Sequence, residues 1–260
     1  MHEKVELEEV RRFWQTHPVA ASAVPFPLGT PEYFAYYDRL REENEPVELS
    51  AHLHEYDRFA GRSVLDVGSG NGYVLSRYAA AGAATYGVDL TEAGIELCRR
   101  RFSQLGYRGG FVVGNAEALP FASESFDCVC SMGVLHHTPD TAGAVREVHR
   151  VLKTGGRLIV MFYHRDSFHY RVLFPIRRLL SGKSLQQSVN EVDGVGNPKG
   201  DVYSRSELRS LLRGFSEIEM FSGVLPWHRL GILPRLLPAA VRVWAERRAG
   251  WFLYVKAVRV

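Results

Sequence analysis

The chain has 260 residues, 46% of them hydrophobic and 23% charged, and a formal net charge of +3. That composition describes one globular domain, or one domain with an elaboration, whose core buries roughly 70–75% of the unfolded surface without covalent staples. Three cysteines, no apolar run of membrane-spanning length and an acidic opening, MHEKVELEEVRR, argue against a disulfide scaffold, a membrane span and a secretory signal, and for a cytoplasmic protein.

Charge is concentrated at the ends. Residues 1–60 carry 12 acids against 6 lysines and arginines, and residues 222–260 carry one acid against 7. On the plainer reading the two ends attract each other; a basic face for an anionic partner is the sharper one. With no basic–aromatic cluster and no zinc-finger spacing, a nucleic-acid partner is not expected.

In chain order, Glu3–Trp14 reads as an amphipathic helix with apolar positions at Val5, Leu7, Val10, Phe13 and Trp14. Pro18, Pro25, Pro27 and Pro31 then interrupt regular structure, and Thr30-Pro31-Glu32 opens a second helix through Tyr33, Tyr37 and Leu40. From Ser63 a rhythm sets in. Apolar runs Ser63–Val67, Thr85–Val88, Phe111–Val113, Cys128–Ser131 and Leu158–Phe162 alternate with helical stretches Tyr73–Ala81, Glu92–Leu105 and Asp140–Leu152. Continuous apolar strands separated by helices predict a parallel sheet covered on both faces, hence a doubly wound α/β domain.

The rhythm breaks at 163–203, where Ser181–Gly200 reads as a long loop. Ser204 and Glu207 then make a capping box for a helix to Leu212, and Phe215–Phe221 and Trp251–Val260 read as the last two strands. The expected organisation is a helical cap over 1–60 on a domain spanning 61–260, with 163–203 and 222–250 as insert or lid segments.

The most informative segment is Val64-Leu-Asp-Val-Gly-Ser-Gly-Asn-Gly72, a buried strand running into a glycine turn and then a helix. Glycine allows positive φ and a close approach of ligand to backbone, and the helix behind the turn offers free N–H groups. Asp89, at the end of the second strand, is placed to accept both hydroxyls of a ribose. The dinucleotide fingerprint needs a third glycine at position 73, which is tyrosine here. The spacing G-x-G-x-G with Asp66 two residues ahead suits an adenosyl ligand without pyrophosphate, with Asp66 near an ammonium group.

Four motifs in order, VLDVGSGNG (64–72), GVDLT (87–91), GNAEALPFASESFDCVCSMGVLHH (114–137) and VLKTGGRLIV (151–160), resemble the core of the class I S-adenosylmethionine-dependent methyltransferases, in the group that includes quinone-biosynthesis C-methyltransferases. The resemblance covers about a hundred residues. It implies a Rossmann-like seven-stranded sheet, mostly parallel with an antiparallel last strand, and S-adenosylmethionine as cofactor with S-adenosylhomocysteine as product. It also implies that Asp66 and the turn Gly68, Ser69, Gly70 and Gly72 hold the methionine end, and that Asp89 holds the ribose. Leu90 would flank the adenine, and Asn115, Ala116 and Glu117 would form the loop at its amine. Ser131 and Met132 would lie beside the methionine moiety and the methyl group.

Catalysis is a matter of alignment, with a base needed only where the acceptor must lose a proton. His136 and His137 follow the fourth strand at the rim where acceptors bind in open α/β sheets, and either could serve as base or cap the next helix. Tyr33 and Tyr37 from the second helix, and Tyr163 and His164 after the fifth strand, are the expected substrate contacts. Cys128 and Cys130 share a strand face and read as buried small hydrophobes, and no metal site is expected. The Gly155-Gly156 pair reads as a turn.

The functional expectation is methyl transfer to a small, partly apolar acceptor at O, N or C, by a monomer or homodimer. The alternatives are a relative that binds the cofactor without methyl transfer, and a methyltransferase acting on RNA or protein. Leu225–Gly250, where apolar residues mix with Arg229, Arg235, Arg242, Arg247 and Arg248, reads as a lid wall or dimer contact in preference to a membrane contact.

Overall fold

A computed structural model describes residues 5–18, 23–175, 182, 185–190, 193–225 and 237–260. Parts of the 163–203 insert, most of the 225–236 stretch and the start of the helix expected from Glu3 therefore lie outside the described residues.

The sheet is built from β1 (Ser63–Val67), β2 (Ala84–Asp89), β3 (Gly110–Val113), β4 (Phe126–Met132), β5 (Leu152–His164), β6 (Val202–Tyr203), β7 (Phe215–Gly223) and β8 (Phe252–Arg259). Its order is β3-β2-β1-β4-β5-β8-β7, and β8 runs antiparallel to both β5 and β7. This is the expected seven-stranded arrangement, with one addition inside the insert. Two-residue β6 pairs in parallel with Tyr163 and His164, continuing the ladder past Met161, where β4's pairing with β5 ends. The insert is thereby tied over the carboxyl end of the central strands.

Alternation along the strands sorts the core into two layers. Leu65, Val67 and Val129 join one cluster, whereas Val64, Cys128 and Cys130 join the other, which also takes Tyr33, Tyr37 and Tyr73. The helices α4 (Tyr73–Ala80), α5 (Glu92–Leu105) and α6 (Thr141–Val151) supply the crossovers. Their starts follow local chemistry. Thr91 accepts from Gly94 N and Asp140 from Gly143 N, each as an N-cap. Because Asp140 caps α6, neither His136 nor His137 does.

Among the described residues three α-helices precede the sheet: α1 (Leu7–Thr16), α2 (Pro31–Asn44) and α3 (Val47–His54). Thr30 accepts from Tyr33 N at 3.2 Å and Pro31 occupies the first turn of α2, as its sequence predicts. Lys256 of β8 pairs with Glu55 at 3.2 Å, one concrete contact between the acidic and basic ends. The helix Ala239–Ala249 leaves Val241, Val243 and Trp244 exposed. Among the described residues no helix is long and apolar enough to cross a membrane.

Candidate active site

At the carboxyl ends of β1, β2 and β4 lies a cavity of about 310 Å³. Its first wall is the turn after β1. Gly68, Gly70 and Gly72 all have positive φ (78°, 48° and 75°). A Cβ on Gly68 would lie 2.3 Å from Val134 Cγ2, so the close pass of the post-β4 segment requires glycine there. The turn spends most of its amides internally: Gly68 N and Ser69 N both donate to Val88 O, and Gly72 N donates to Ser69 O. The free N–H groups expected from the sequence belong to the start of the following helix, where Tyr73 N donates to Asn71 Oδ1.

Two carboxylates face this wall. Asp89 accepts from Gly70 N at 2.9 Å through Oδ2, and from Thr91 N and Oγ1 through Oδ1. It staples β2 to the glycine turn while still lining the cavity. Asp66 is buried on β1, and burial pushes its carboxyl up to about 7, with the neighbouring Asp89 charge adding to the effect. No lysine, arginine or histidine among the described residues forms an ion pair with it. A ligand ammonium would offset its burial.

The opposite end is aromatic. Trp14 of α1, Tyr163 at the end of β5 and Phe252 at the start of β8 line it together with His137, whereas Tyr37 of α2 lines the wall beside Tyr73, next to the glycine turn. Leu7, Val10 and Trp14 fall on one face of α1, so the amphipathic stripe of the sequence is the face turned to the cavity. His137 sits in the 3₁₀ turn Leu135–His137. Its Nδ1 lies 2.6 Å from Lys199 O, its Nε2 3.4 Å from Asp193 Oδ2, and Trp14 packs on its ring at 5.3 Å.

Of the residues singled out from sequence, Asp66, Gly68, Ser69, Gly70, Asp89, Leu90, Asn115, Ala116, Met132, His137, Tyr37 and Tyr163 line this one cavity. Six others do not. Gly72 begins α4 against Cys98, and Ser131 Oγ donates to Val67 O, tying β4 to β1. Glu117 accepts from Asp140 N and faces α6. Tyr33 is buried one turn before Tyr37, packed on Phe34. His136 is fully buried against Phe162 and Tyr163, and burial holds its imidazole well below the usual range. Tyr163 and His164 are the last residues of β5, not a loop after it, so they point to opposite faces; His164 Nδ1 lies 3.1 Å from Gly250 O.

The sequence reading missed Asp193, Arg41 and Arg101. Asp193 comes from the insert and accepts from Tyr163 Oη at 2.7 Å. Arg41 lines the cavity from α2 and pairs with buried Glu45 at 3.0 Å, holding that carboxyl down at about 2 together with His54. Arg101 of α5 donates to Asn71 O in the glycine turn and to Asp38 of α2, joining the two. Nothing local in the sequence marks these three as more than solvated charges.

A doubly wound sheet carrying a glycine turn and two carboxylates at the ends of its first two strands defines a nucleoside-binding enzyme of the methyltransferase fold. The comparisons with known proteins agree. Residues 65–160 match the family described as "Methyltransferase domain". The chain is 31% identical over 261 residues to phthiotriol/phenolphthiotriol dimycocerosates methyltransferase 1 of Mycobacterium ulcerans, covering 94% of this chain and 83% of that enzyme. It is 34% identical over 136 residues to the ubiquinone/menaquinone biosynthesis C-methyltransferase of Klebsiella pneumoniae, where the match covers 46% of this chain and 54% of that one. Among solved structures, magnesium protoporphyrin IX methyltransferase from Synechocystis PCC 6803, with bound S-adenosylhomocysteine, superposes with a TM-score of 0.63 at 16% identity, covering 98% of this chain and 100% of that one.

The chain belongs to the class I S-adenosylmethionine-dependent methyltransferases. It is a methyltransferase, and its cofactor is S-adenosylmethionine. The residues present fit that group, since a buried carboxylate with no ion-pair partner among the described residues lines the same cavity as a cradle that a Cβ would fill.

Proposed function

We propose that the chain transfers the methyl group of S-adenosylmethionine to a small, partly apolar acceptor whose reacting atom lies beside His137, and that it acts in the cytoplasm. The observation that supports this reading is one continuous cavity with a carboxylate-lined end and an aromatic end. In it, Asp66 takes the ammonium of the cofactor, Gly68, Ser69 and Gly70 admit its methionine, and Asp89 accepts from the ribose. Leu90 and Ala116 flank the adenine. Asn115 meets the adenine amine through the second lone pair of Oδ1, the first being taken by Glu117 N. Met132 lies by the methyl-bearing end. The relatives named for phthiotriol and for quinone biosynthesis favour a small-molecule acceptor over RNA or protein.

The cofactor supplies a methyl group on a cationic sulfur. The chain supplies alignment and, at His137, a proton acceptor. A carbonyl oxygen only accepts, so Nδ1 donates to Lys199 O and Nε2 is the ring nitrogen left to take a proton. His137→Ala is expected to lower turnover about 10²–10⁴-fold while the dissociation constant for S-adenosylhomocysteine, measured by calorimetry, changes less than about twofold. Unchanged turnover would remove the base from the reading. Failure of the parent protein to bind S-adenosylhomocysteine would remove the cofactor assignment as well.

A further inference from the structure

Arg41 is a cation of the cap that reaches the cavity, and its surroundings say more than that it lines a wall. It stands on α2 one turn after Tyr37, and both line the cavity with Tyr73, the residue that opens α4 after the glycine turn. Three contacts fix it there. Its Nη2 donates to Glu45 Oε2 at 3.0 Å, and its guanidinium carbon lies 5.4 Å from the centre of the Tyr73 ring. Arg101 clamps α2 itself to the turn, donating to Asn71 O and to Asp38 Oδ1 at 2.8 Å each. The Arg41 Nε is buried and has no hydrogen-bond partner. Asp66 lines the same cavity from β1. Burial raises its carboxyl, and the charge of Arg41 is near enough to oppose that rise, yet the two form no ion pair. Opposite charges that share a cavity without joining leave room for a ligand that carries both signs.

We infer that Arg41 holds the carboxylate of the cofactor's methionine. The inference rests on the reading of Asp66 given above and concerns the other charge of the same amino acid. Ammonium and carboxylate hang from one α-carbon, so the groups that receive them must be neighbours of opposite sign, as Asp66 and Arg41 are. A carboxylate taken out of water needs a cation or several donors. The glycine turn has little left to give: Gly68 N and Ser69 N donate to Val88 O, Gly70 N to Asp89, and Gly72 N to Ser69 O. A guanidinium has five N–H groups, and Glu45 takes one of those on Arg41. Arg41 thus supplies the donors that the turn has spent, from a site already held in place by Glu45, Tyr73 and the Arg101 clamp. The helix α2, expected over the acceptor, thereby serves the cofactor.

The test compares S-adenosylhomocysteine with its decarboxylated analogue, S-adenosyl-3-thiopropylamine, which keeps the ammonium and lacks only the carboxylate. By calorimetry the parent should bind S-adenosylhomocysteine about 10–100-fold more tightly than the analogue. Arg41→Gln should bring the two ligands within about threefold of each other, by weakening S-adenosylhomocysteine alone. That substitution leaves buried Glu45 without its guanidinium partner. Arg41→Gln/Glu45→Gln, which removes both charges of the pair, is therefore run beside it with melting curves on each, and should lose the preference in the same way. Asp66→Asn should weaken both ligands alike and keep the preference, because both carry the ammonium. Equal binding of the two ligands by the parent, or the full parental preference in either Arg41 variant, would overturn the role of Arg41. An Asp66→Asn variant that binds both ligands as the parent does would instead break the reading of Asp66 beneath it.

Discussion

The two ends of the cavity are built on different plans. The carboxylate end is made by consecutive strand ends of one doubly wound unit: Asp66 and the turn after β1, Asp89 after β2, Asn115 after β3 and Met132 at the end of β4. The aromatic end is assembled from pieces far apart in the chain, with Trp14 on α1, His137 after β4, Asp193 in the insert and Phe252 on β8. The first plan is a by-product of topology, since every parallel strand delivers its end to the same edge. The second depends on how flanking segments dock, so it can change acceptor without disturbing cofactor. Within one family, this predicts steep sensitivity to substitution at the first end and graded sensitivity at the second.

The sharpest way to break the comparison is at Gly68. Its φ is +78° and an added Cβ would lie 2.3 Å from Val134 Cγ2. Left-handed strain and overpacking together set the cost of Gly68→Ala at about 2–5 kcal/mol of stability, with loss of S-adenosylhomocysteine binding. Gly61 is the control, with φ +72° and nothing within 4 Å of an added Cβ. Gly61→Ala should cost only the strain, about 1–2 kcal/mol, and keep the ligand. Denaturant melts and calorimetry on both variants check this; equal losses would mean that close packing of the turn does not matter.

A smaller effect is expected at Asp89. Asp89→Ala removes acceptors for Gly70 N and Thr91 as well as any contact to a ribose. Affinity for S-adenosylhomocysteine should fall by about 1–3 kcal/mol, the cost of lost hydrogen bonds to a charged group. An unchanged dissociation constant would place the ribose elsewhere.

The sequence made the first end legible because its signals are local. A continuous apolar run, a glycine turn and an acid at a strand end each follow from a few adjacent residues, and the strands and caps formed where such residues stand. For the acceptor and its base the sequence offered residues in pairs: His136 with His137, Tyr163 with His164, and, one helical turn apart, Tyr33 with Tyr37. In each pair the structure brings only one member to the cavity. Strand alternation splits Tyr163 from His164, and the 3₁₀ turn points His136 down onto Phe162. Periodicity alone says that both members of an adjacent strand pair cannot face one site, but not which one does. Asp193 carries no local mark at all. It stands 56 positions beyond His137 and is brought there by the β6 ladder and by Asp201 N donating to His136 O.

The finest distinction between the two ends is electrostatic, and it appears as a pH dependence. Asp66 is held at about 7 in the folded chain by burial, against an ordinary 3.8. Between those values the folded state keeps a proton that the unfolded state has lost, so this group costs stability progressively as pH rises from about 4 to about 7, and fully above that. His136, buried neutral, acts in the opposite direction near the same pH, because its contribution is lost as pH falls below the ordinary histidine range. A difference measurement removes it. Asp66→Asn should gain stability relative to the parent as pH rises from 5 to 8, at up to about 1.4 kcal/mol per pH unit. Binding reports the same group with the opposite sign. The ammonium of S-adenosylhomocysteine favours the ionised carboxylate, so the parent should bind up to about tenfold more tightly at pH 8 than at pH 6. The Asn variant should bind more weakly and nearly independently of pH. A parent affinity that does not change across this range would mean that the ammonium lies away from Asp66, and that the buried carboxylate serves the fold alone.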